Sequence, residues 1–426
     1  MLGKIKSYLI RFRFMRRVQY WRASIKYYCA HSRIRKNIRS SRKATVCFLV
    51  SSLSMWRLQD LYDFLVKDPH YSIQIILLPF LTYAEEEKER SLKELKRYFD
   101  KMHCPYMLYN SPDCLSQWKE NRPDIIFYQQ LYSTIYSEPY SINSNLDRLI
   151  CHIPYGLSTV NGEWLENILP KNLAWKLFYP TQSHADFARS HSFNRGKNVV
   201  VVGEPNAKRY LASNYSYPWK PQSAKRVKKV IWAPHFSISD MGYLHRASFL
   251  WMADYMKDIV NKYEGRIQFV FKPHPRLISA LYSHREWGKS RTDQYFNWWE
   301  NTTNTQVETG EFIDLFMTSD AMIHDCGSFT AEYLYSNNPV LFTAKNFPQV
   351  YSGLNPFGVK CLDLHYKAQT EKEILSFLED VVLEGNDPLA DGRHLFYKNV
   401  LMKETASDVG HNIYHVLNMD LFGIEE

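Results

Sequence analysis

Several features that would place this 426-residue chain in a familiar class are missing from its sequence. The seven cysteines are scattered and no two form a CxxC pair, which favours a reduced intracellular protein over a disulfide framework. No apolar run approaches the length of about 18 residues that a membrane-spanning helix needs. The sequence has no DxD motif, and we predict neither a bound metal ion nor a cofactor.

Acidic residues are absent from residues 1–43, which hold fourteen Lys and Arg. Because the whole chain has a net charge of +9, the remainder is mildly acidic at −5. In this basic arm, residues 1–43, the charges interleave with Leu, Ile, Phe, Tyr and Trp, a composition typical of segments that lie on anionic membrane surfaces. We predict such attachment. The alternatives are a first helix packed on the body, a transit peptide and a nucleic-acid-binding arm, the last disfavoured by the acidic remainder.

Short apolar runs alternate with longer mixed stretches, a rhythm that predicts βα units and parallel sheets. We predict two doubly wound α/β domains, residues 44–205 and 228–404, joined by a polar linker at 206–227 and followed by a C-terminal helix within 405–426. The predicted strands are 44–51, 71–80, 105–110, 123–130, 148–157, 173–181, 197–205, 227–236, 267–275, the end of 312–325, 339–344 and 359–364. Ligands of such domains bind beyond the carboxyl ends of the strands, in a cleft.

Three successive strands of the second domain end in polar sequences. The first ends at Ala233-Pro234-His235, the second at Lys272-Pro273-His274-Pro275-Arg276, and the third at His324-Asp325-Cys326-Gly327-Ser328. In a parallel sheet these ends converge on one edge. The two prolines beside His274 stiffen its backbone, and Lys272 and Arg276 flank it, so the group suits a developing phosphate charge with His274 as donor or general acid. His235 repeats the arrangement; for both histidines the alternative is a solvated loop side chain.

The third strand end predicts an anion site. Gly327 allows positive φ or close backbone approach, and Ser328 is a favourable N-cap for a helix from about residue 329, whose free N–H groups would face the ligand. Glu332 lies four residues after the cap, which is one too far for a capping box. Its carboxylate suits ribose hydroxyls. The alternative is an ordinary strand-to-helix turn with a solvated Glu332.

These stretches resemble a known family. APHF, FKPHPR and FIDLFMTSDAMIHDCGSFTAEYLYSNNPVLFTA are similar to the carboxyl-terminal half of the CDP-glycerol glycerophosphotransferases, which make teichoic-acid-like polymers. That family has the GT-B fold, with two Rossmann-like domains facing across a cleft. His274-Pro275 matches its His-Pro motif, and Asp325-Cys326-Gly327-Ser328 matches its Asp-x-Ser-Ser motif with Gly327 in place of the first serine. The resemblance covers roughly residues 228–345.

Carried over residue by residue, the resemblance gives His274 a role at the donor phosphate. It implies that Asp325, Gly327, Ser328 and Glu332 hold the donor nucleotide. The family also places a His-Gly pair after a strand of the first domain, its histidine resembling a general base. Here that strand ends His152-Ile153-Pro154-Tyr155-Gly156, with tyrosine before the glycine. His152 and Tyr155 are therefore both candidates for the base, and the departure indicates a divergent branch.

The function expected from this resemblance is transfer of a glycerol-phosphate or related polyol-phosphate unit from a CDP-activated donor to an acceptor hydroxyl, on a lipid-linked or saccharide acceptor. A GT-B glycosyltransferase using a CMP- or UDP-sugar is the first alternative. A nucleotide-sugar 2-epimerase and a non-catalytic membrane adaptor on a degenerate transferase fold are the others. We expect a cytoplasmic bacterial protein that makes a cell-surface polymer such as teichoic acid or capsule, held on the inner face of the membrane by its arm and binding no nucleic acid.

Overall fold

A computed structural model of the chain describes residues 2–221, 227–238 and 247–424, with only the backbone for residues 2–16. The chain forms two compact units. The first comprises Met1–Gly156, Gly162–Asn206 and Ser407–Glu426, and the second comprises Leu157–Asn161 and Ala207–Ala406.

Thirteen strands are described, and all of them pair in parallel. In chain order they are β1 Ala44–Val50, β2 Tyr71–Leu77, β3 Met107–Leu108, β4 Ile125–Tyr128, β5 Leu149–His152, β6 Lys176–Tyr179, β7 Val199–Val201, β8 Lys228–Ala233, β9 Ile267–Phe271, β10 Thr305–Val307, β11 Ala321–His324, β12 Val340–Thr343 and β13 Tyr366–Ala368. The first unit holds a seven-stranded sheet in the order β3-β2-β1-β4-β5-β6-β7, and the second a six-stranded sheet in the order β10-β9-β8-β11-β12-β13.

Helices connect the strands, as parallel pairing requires. They are α1 Leu2–Ser41, α2 Gln59–Leu65, α3 Glu85–Lys101, α4 Pro112–Glu120, α5 Glu163–Glu166, α6 Leu169–Leu173, α7 Gln182–His191, α8 Ala207–Tyr210, α9 Phe249–Lys262, α10 Leu277–Tyr282, α11 Gly288–Asn301, α12 Ile313–Met317, α13 Phe329–Glu332, α14 Phe347–Ser352, α15 Pro356–Asp363, α16 Glu371–Ser376, α17 Ala390–Phe396 and α18 Val409–Phe422. Short 3-10 helices span Leu53–Met55, Asn143–Asn145 and Tyr333–Ser336, and π-helices span Phe377–Leu383 and Tyr397–Thr405.

The α/β prediction is confirmed, and so are all seven strands predicted for the first domain. The strand predicted at 359–364 is wrong, because this stretch lies in α15. Asn355 caps that helix by accepting a hydrogen bond from the Gly358 N–H at 2.7 Å, and Pro356 occupies its first turn. This start signal favours a helix over the strand that the apolar residues of 359–364 suggested. The last strand is instead β13, and the edge strand β10 was not predicted.

An aromatic core beneath the second sheet fixes the strands that carry the predicted site. The Trp232 ring on β8 stacks with Phe271 on β9 at a centroid distance of 5.0 Å and with Phe249 on α9 at 5.7 Å. Trp232 and Phe271 are both fully buried. Because these rings interlock the strands one residue before the polar ends begin, the loops after β8 and β9 start from fixed positions.

Helix α1 contains most of the basic arm, and its C-terminal part packs on the first unit. His31, Ile34 and Ile38 are buried, and the His31 Nε2 lies 2.9 Å from the Leu146 carbonyl oxygen. Further towards the N-terminus, Trp21 and Tyr28 are exposed. Across the described part of the chain, no helix combines the length and hydropathy of a membrane span.

The segment predicted as a linker, 206–227, packs in part within the second unit. The Tyr210 ring stacks on Tyr335 at 4.2 Å, and buried Trp219 donates its indole N–H to the Thr318 hydroxyl at 2.9 Å. Residues 222–226 of this segment lie outside the described residues. The prediction of a linker rested on polar composition and did not take account of the packing of Tyr210 and Trp219.

Candidate functional site

The order of the second sheet reverses between β8 and β11, which are neighbours. In doubly wound sheets such a reversal leaves a crevice beyond the carboxyl ends of the two strands, where ligands bind. The loops that follow β9, β8 and β11 are the three polar strand ends identified in the sequence. Since these strands are consecutive in the sheet, the predicted convergence is confirmed.

Asp325 joins the loops at this crevice. It is 1% exposed, and its Oδ1 accepts the His235 N–H at 2.6 Å. Its Oδ2 accepts the N–H of Ser248, the residue before α9, and the Ser248 hydroxyl at 2.8 Å. Burial raises the pKa of Asp325 to about 6, while the hydrogen bonds from Ser248 and His235 oppose that rise. Both oxygens are thus engaged within the protein, so Asp325 holds the loop after β8 against the start of α9.

His274 presents a neutral N–H donor. Its Nδ1 accepts the Arg276 N–H at 3.1 Å, so the proton of the neutral ring is on Nε2. Burial, assisted by the charges of Arg276 and Lys272, lowers the pKa of His274 to about 4. The backbone N–H of His274 donates to the Pro234 carbonyl at 3.0 Å, which ties the two loops together. At neutral pH the ring is therefore an uncharged hydrogen-bond donor rather than an imidazolium.

His235 and Phe236 lie against His274. The two histidine rings are 5.0 Å apart, edge to face, and the Phe236 ring is 4.5 Å from His274. The His235 Nδ1 is 2.9 Å from the Ser237 hydroxyl. The apolar ring of Phe236 explains why His274 is largely shielded from water although it follows a strand end.

The two flanking cations differ in exposure. Lys272 is 5% exposed, its ammonium donates to the Gly310 carbonyl at 2.8 Å, and burial lowers its pKa while Glu308 and Glu311 oppose that shift. Arg276 is exposed, and its guanidinium lies over the Phe236 ring at 4.3 Å. Arg276 therefore offers donors to a ligand, while Lys272 supplies a fixed positive charge beneath the loop.

The turn after β11 differs from its prediction in two respects. Ser328 directly precedes α13, but it has helical dihedral angles and its side chain makes no capping hydrogen bond. Helix α13 has four residues before it tightens into the 3-10 helix, so its dipole is small. The φ of Gly327 is not positive. A Cβ added there would lie 3.7 Å from the Thr159 hydroxyl, which is an ordinary van der Waals distance.

What Gly327 contributes is its carbonyl, which accepts the Thr159 hydroxyl at 2.7 Å. Ser328 is exposed and Glu332 is 6% exposed, so a solvated Glu332 is excluded. Burial raises the pKa of the Cys326 thiol. The negative charges of Asp325 and Glu332 raise it further, and the positive charge of Lys272 opposes them. Carboxylate, thiol and ammonium thus share one small region at the ends of β9 and β11.

The candidates for a base lie in the first unit. His152 is the last residue of β5 and is buried, and its Nδ1 lies 3.0 Å from the Tyr128 carbonyl oxygen. Since a carbonyl only accepts, Nδ1 carries the proton and Nε2 keeps its lone pair. Burial lowers the pKa of His152 to about 4. Tyr155 is exposed at 45%, and its carbonyl accepts from the Arg57 side chain at 3.2 Å.

The first sheet also reverses its order, between β1 and β4, but a side chain closes that point. The Gln129 Oε1 accepts the N–H groups of Ser51 and Ser52 at 2.7 and 3.0 Å, and its Nε2 donates to the Ser52 carbonyl at 2.9 Å. Gln129, Ser248 and Gly310 were not singled out in the sequence. Ser248 is a serine directly before α9, a residue type that is favoured at that position.

Within the described ranges, no group of three or more His, Cys, Asp and Glu side chains is placed to hold a metal ion.

Comparison with known proteins gives matches in structure only. No protein-family model matches the chain, and no curated protein matches its sequence. A solved UDP-N-acetylglucosamine 2-epimerase superposes with a TM-score of 0.56 at 14% identity, covering 90% of this chain and 97% of that one. A putative UDP-N-acetylglucosamine 2-epimerase from Listeria monocytogenes gives 0.54 at 12%, covering 90% and 98%. A variant of the wall teichoic acid polymerase TagF gives 0.53 at 12%, covering 95% and 98%.

The chain has the GT-B fold. At these identities the likeness establishes the architecture, with its two parallel sheets, and confirms the fold class expected from the sequence.

Proposed function

We propose that this protein is a GT-B transferase of cell-surface polymer synthesis. It would move a glycerol-phosphate or related polyol-phosphate unit from a CDP-activated donor to an acceptor hydroxyl, with a lipid-linked acceptor favoured. The observation that carries this proposal is the neutral Nε2–H donor of His274, set between Lys272 and exposed Arg276 at the topological switch of the second sheet. This grouping of donors and fixed positive charge suits a diphosphate.

In the proposed reaction the acceptor oxygen attacks the β-phosphorus of the donor. A new P–O bond forms to the acceptor, the bond from the β-phosphorus to the bridging oxygen breaks, and CMP leaves with that electron pair. The His274 N–H and the Arg276 guanidinium would hydrogen-bond the phosphate oxygens as charge builds on them. Asp325 would act by holding the His235 loop, and Ser328 and buried Glu332 would contact the nucleotide.

The acceptor proton needs a base, and His152 is the better of the two candidates. Its Nε2 lone pair follows from the hydrogen bond that the Nδ1–H makes to Tyr128. A phenol keeps its proton near neutral pH, which makes the exposed Tyr155 the weaker candidate for a base. We assign His152 as base and Tyr155 as an acceptor contact.

A nucleotide-sugar donor is the second candidate. Two further solved structures superpose with TM-scores of 0.52 and 0.51. They are a Staphylococcus aureus MnaA–UDP co-structure and a Neisseria meningitidis UDP-GlcNAc 2-epimerase bound to UDP-GlcNAc. Their identities of 12% and 11% motivate UDP and UDP-GlcNAc as test ligands and carry no assignment. The same crevice would then break a C–O bond instead of a P–O bond.

The basic arm would keep the enzyme at the inner membrane surface, where a lipid-linked acceptor resides. Exposed Trp21 and Tyr28 on α1, among basic residues, support this attachment.

The deciding experiment is calorimetric binding of CDP, CDP-glycerol, CMP, UDP and UDP-GlcNAc to the full chain. Selective binding of CDP and CDP-glycerol supports the polyol-phosphate transferase. Preference for UDP or UDP-GlcNAc moves the assignment to a sugar nucleotide, and binding of none contradicts the site and favours the adaptor.

His274→Ala should weaken CDP-glycerol binding and abolish transfer while leaving the fold intact. The matched control is His284→Ala, because the His284 Nδ1 also accepts an N–H two residues on, from Glu286 at 3.3 Å, but lies outside the crevice loops. Equal effects of the two changes would contradict the assignment of His274.

A further inference from the structure

A basic groove lies in the first unit, between α1 and the turn that follows α7. It has a volume of about 650 Å³. Three arginines line it, Arg17 on α1 and Arg189 and Arg195 on the other wall, together with the aromatic residues Trp21 and Phe193. This combination of cationic forks and aromatic rings lies far along the chain from the crevice loops and plays no part in the proposed reaction.

The turn that carries Arg195 is built in an unfavourable backbone conformation. Arg195 has a φ of +55° and Gly196 a φ of +62°. A Cβ at residue 196 would lie 2.4 Å from the Arg189 Cγ, so the glycine lets the Arg189 stem pack on the turn. Hydrogen bonds from the Gly196 N–H to the Ser192 hydroxyl and the Asn194 side chain, at 2.9 and 2.8 Å, hold the conformation. Left-handed backbone at a non-glycine residue is costly and concentrates at functional positions.

The charges of the groove are largely unneutralised. Arg189 pairs with Asp186 at 2.9 Å, but both side chains are exposed, so the pair is weak. Arg17 and Arg195 have no carboxylate partner among the described residues, and residues 1–16 contain no Asp or Glu. Guanidinium groups match the geometry of phosphate oxygens, and several together favour a doubly charged terminal phosphate over a singly charged diester.

An apolar stripe continues from the groove along α1. Trp21, Ile25 and Tyr28 are exposed at 63%, 49% and 67%, and with Arg17 they follow the spacing of one helix face. Trp21 belongs to both features. A soluble phosphate would not need this stripe, whereas a lipid presents its phosphate at the level where Trp and Tyr side chains accumulate.

We propose that this groove binds the terminal phosphate of a membrane lipid, with the stripe of Trp21, Ile25 and Tyr28 in the headgroup region. The inference deepens the proposed membrane attachment, on which it rests, by naming its ligand. It does not depend on the donor, so its test reads vesicle binding and leaves nucleotide binding as a separate result.

The test compares sedimentation of the full chain with vesicles of phosphatidylcholine containing either phosphatidic acid or phosphatidylglycerol, adjusted to equal surface potential. The groove variant is Arg17→Gln with Arg195→Asn, since asparagine tolerates left-handed backbone. The control variant is Arg22→Gln with Arg33→Gln, which removes the same charge from exposed positions of α1 that do not line the groove. Circular dichroism checks the fold of both.

We expect the unaltered chain to prefer phosphatidic acid by roughly tenfold, as two or three charge-assisted hydrogen bonds imply. The groove variant should lose this preference, and the control should bind both vesicles more weakly while keeping it. Release from phosphatidic acid vesicles by inorganic phosphate, but not by chloride at equal ionic strength, would support a phosphate site. The proposal is overturned if the unaltered chain shows no preference, if both variants lose it equally, or if inorganic phosphate binds without any vesicle preference.

Discussion

Ser248 is the residue through which the burial of Asp325 can be tested. Its hydroxyl donates to the Asp325 Oδ2 at 2.8 Å and lies 2.8 Å from the Thr343 hydroxyl. Ser248→Ala removes the first donor and leaves a buried carboxylate with one fewer hydrogen bond. We expect this variant to lose stability, and to lose more of it where Asp325 is ionised.

The magnitude follows from the state of the carboxylate. A hydrogen bond to a charged group contributes about 1.5–3 kcal/mol, and one between neutral groups about 1 kcal/mol. The folded pKa of Asp325, about 6, lies above its usual unfolded value of about 3.9. Protonation therefore stabilises the fold at low pH, and this contribution is lost as pH rises from about 4 through 6. Removing a donor that opposes the rise moves the folded pKa higher still.

Urea unfolding of the unaltered chain and of Ser248→Ala is measured at about pH 5 and pH 8. The free energy of unfolding of the variant should be lower by about 2 kcal/mol at the higher pH and by under about 1 kcal/mol at the lower. Ser319→Ala is the matched control, because within the described structure this buried hydroxyl bonds to neutral groups, the Phe316 carbonyl at 2.8 Å and the Tyr333 hydroxyl at 2.7 Å. Its cost should not change with pH. The same pH-independent cost for both variants would refute the placement of an ionisable carboxylate at the Ser248 hydroxyl.

Three further outcomes are expected. Gly358→Ala should destabilise the second unit by more than about 1 kcal/mol, because the new Cβ would lie 2.4 Å from the Thr159 carbonyl oxygen. Calorimetry compares it with Gly385→Ala, whose Cβ would meet open space, so that only the backbone strain from a φ of +79° destabilises that variant. Gln129→Ala should cost about 2–4 kcal/mol in urea unfolding by stranding two buried N–H groups, yet leave CDP-glycerol affinity unchanged in calorimetry; reduced affinity would contradict a purely structural Gln129. His152→Gln should lower the rate of transfer with unchanged donor affinity, and a normal rate would move the base elsewhere.

Much of this architecture could be predicted because its signals are local. The strands of the first sheet lie in short, largely apolar stretches, with polar residues inside β2 at Ser72 and Gln74, and the polar ends after β8, β9 and β11 are visible as short motifs. The stretch 359–364 was misleading because six residues, four of them apolar, are too few to reveal a period, whereas Asn355 and Pro356 just before it carried the helix signal.

The roles of the site residues were harder to predict, because they depend on partners distant in sequence. Asp325 was expected to face the donor, but the residues that engage it are His235 and Ser248, roughly eighty to ninety positions earlier. The tautomers of His274 and His152 likewise follow from single hydrogen bonds to Arg276 and Tyr128. A sequence motif gives the residue type at a strand end, and only the fold gives the direction of its hydrogen bonds.

The order of strands reverses in both sheets, but the polar groups at the two reversal points are satisfied differently. In the first, the switch point is occupied by Gln129, whose amide satisfies the Ser51 and Ser52 backbone groups that a ligand could otherwise bind. In the second, the chain satisfies Asp325 internally but leaves the Nε2–H of neutral His274 and the exposed Arg276 as donors without a carboxylate acceptor in the described structure. Donors that a fold positions without giving them an internal acceptor are suited to an anionic ligand. This contrast supports our proposal that the donor phosphates bind at the second unit.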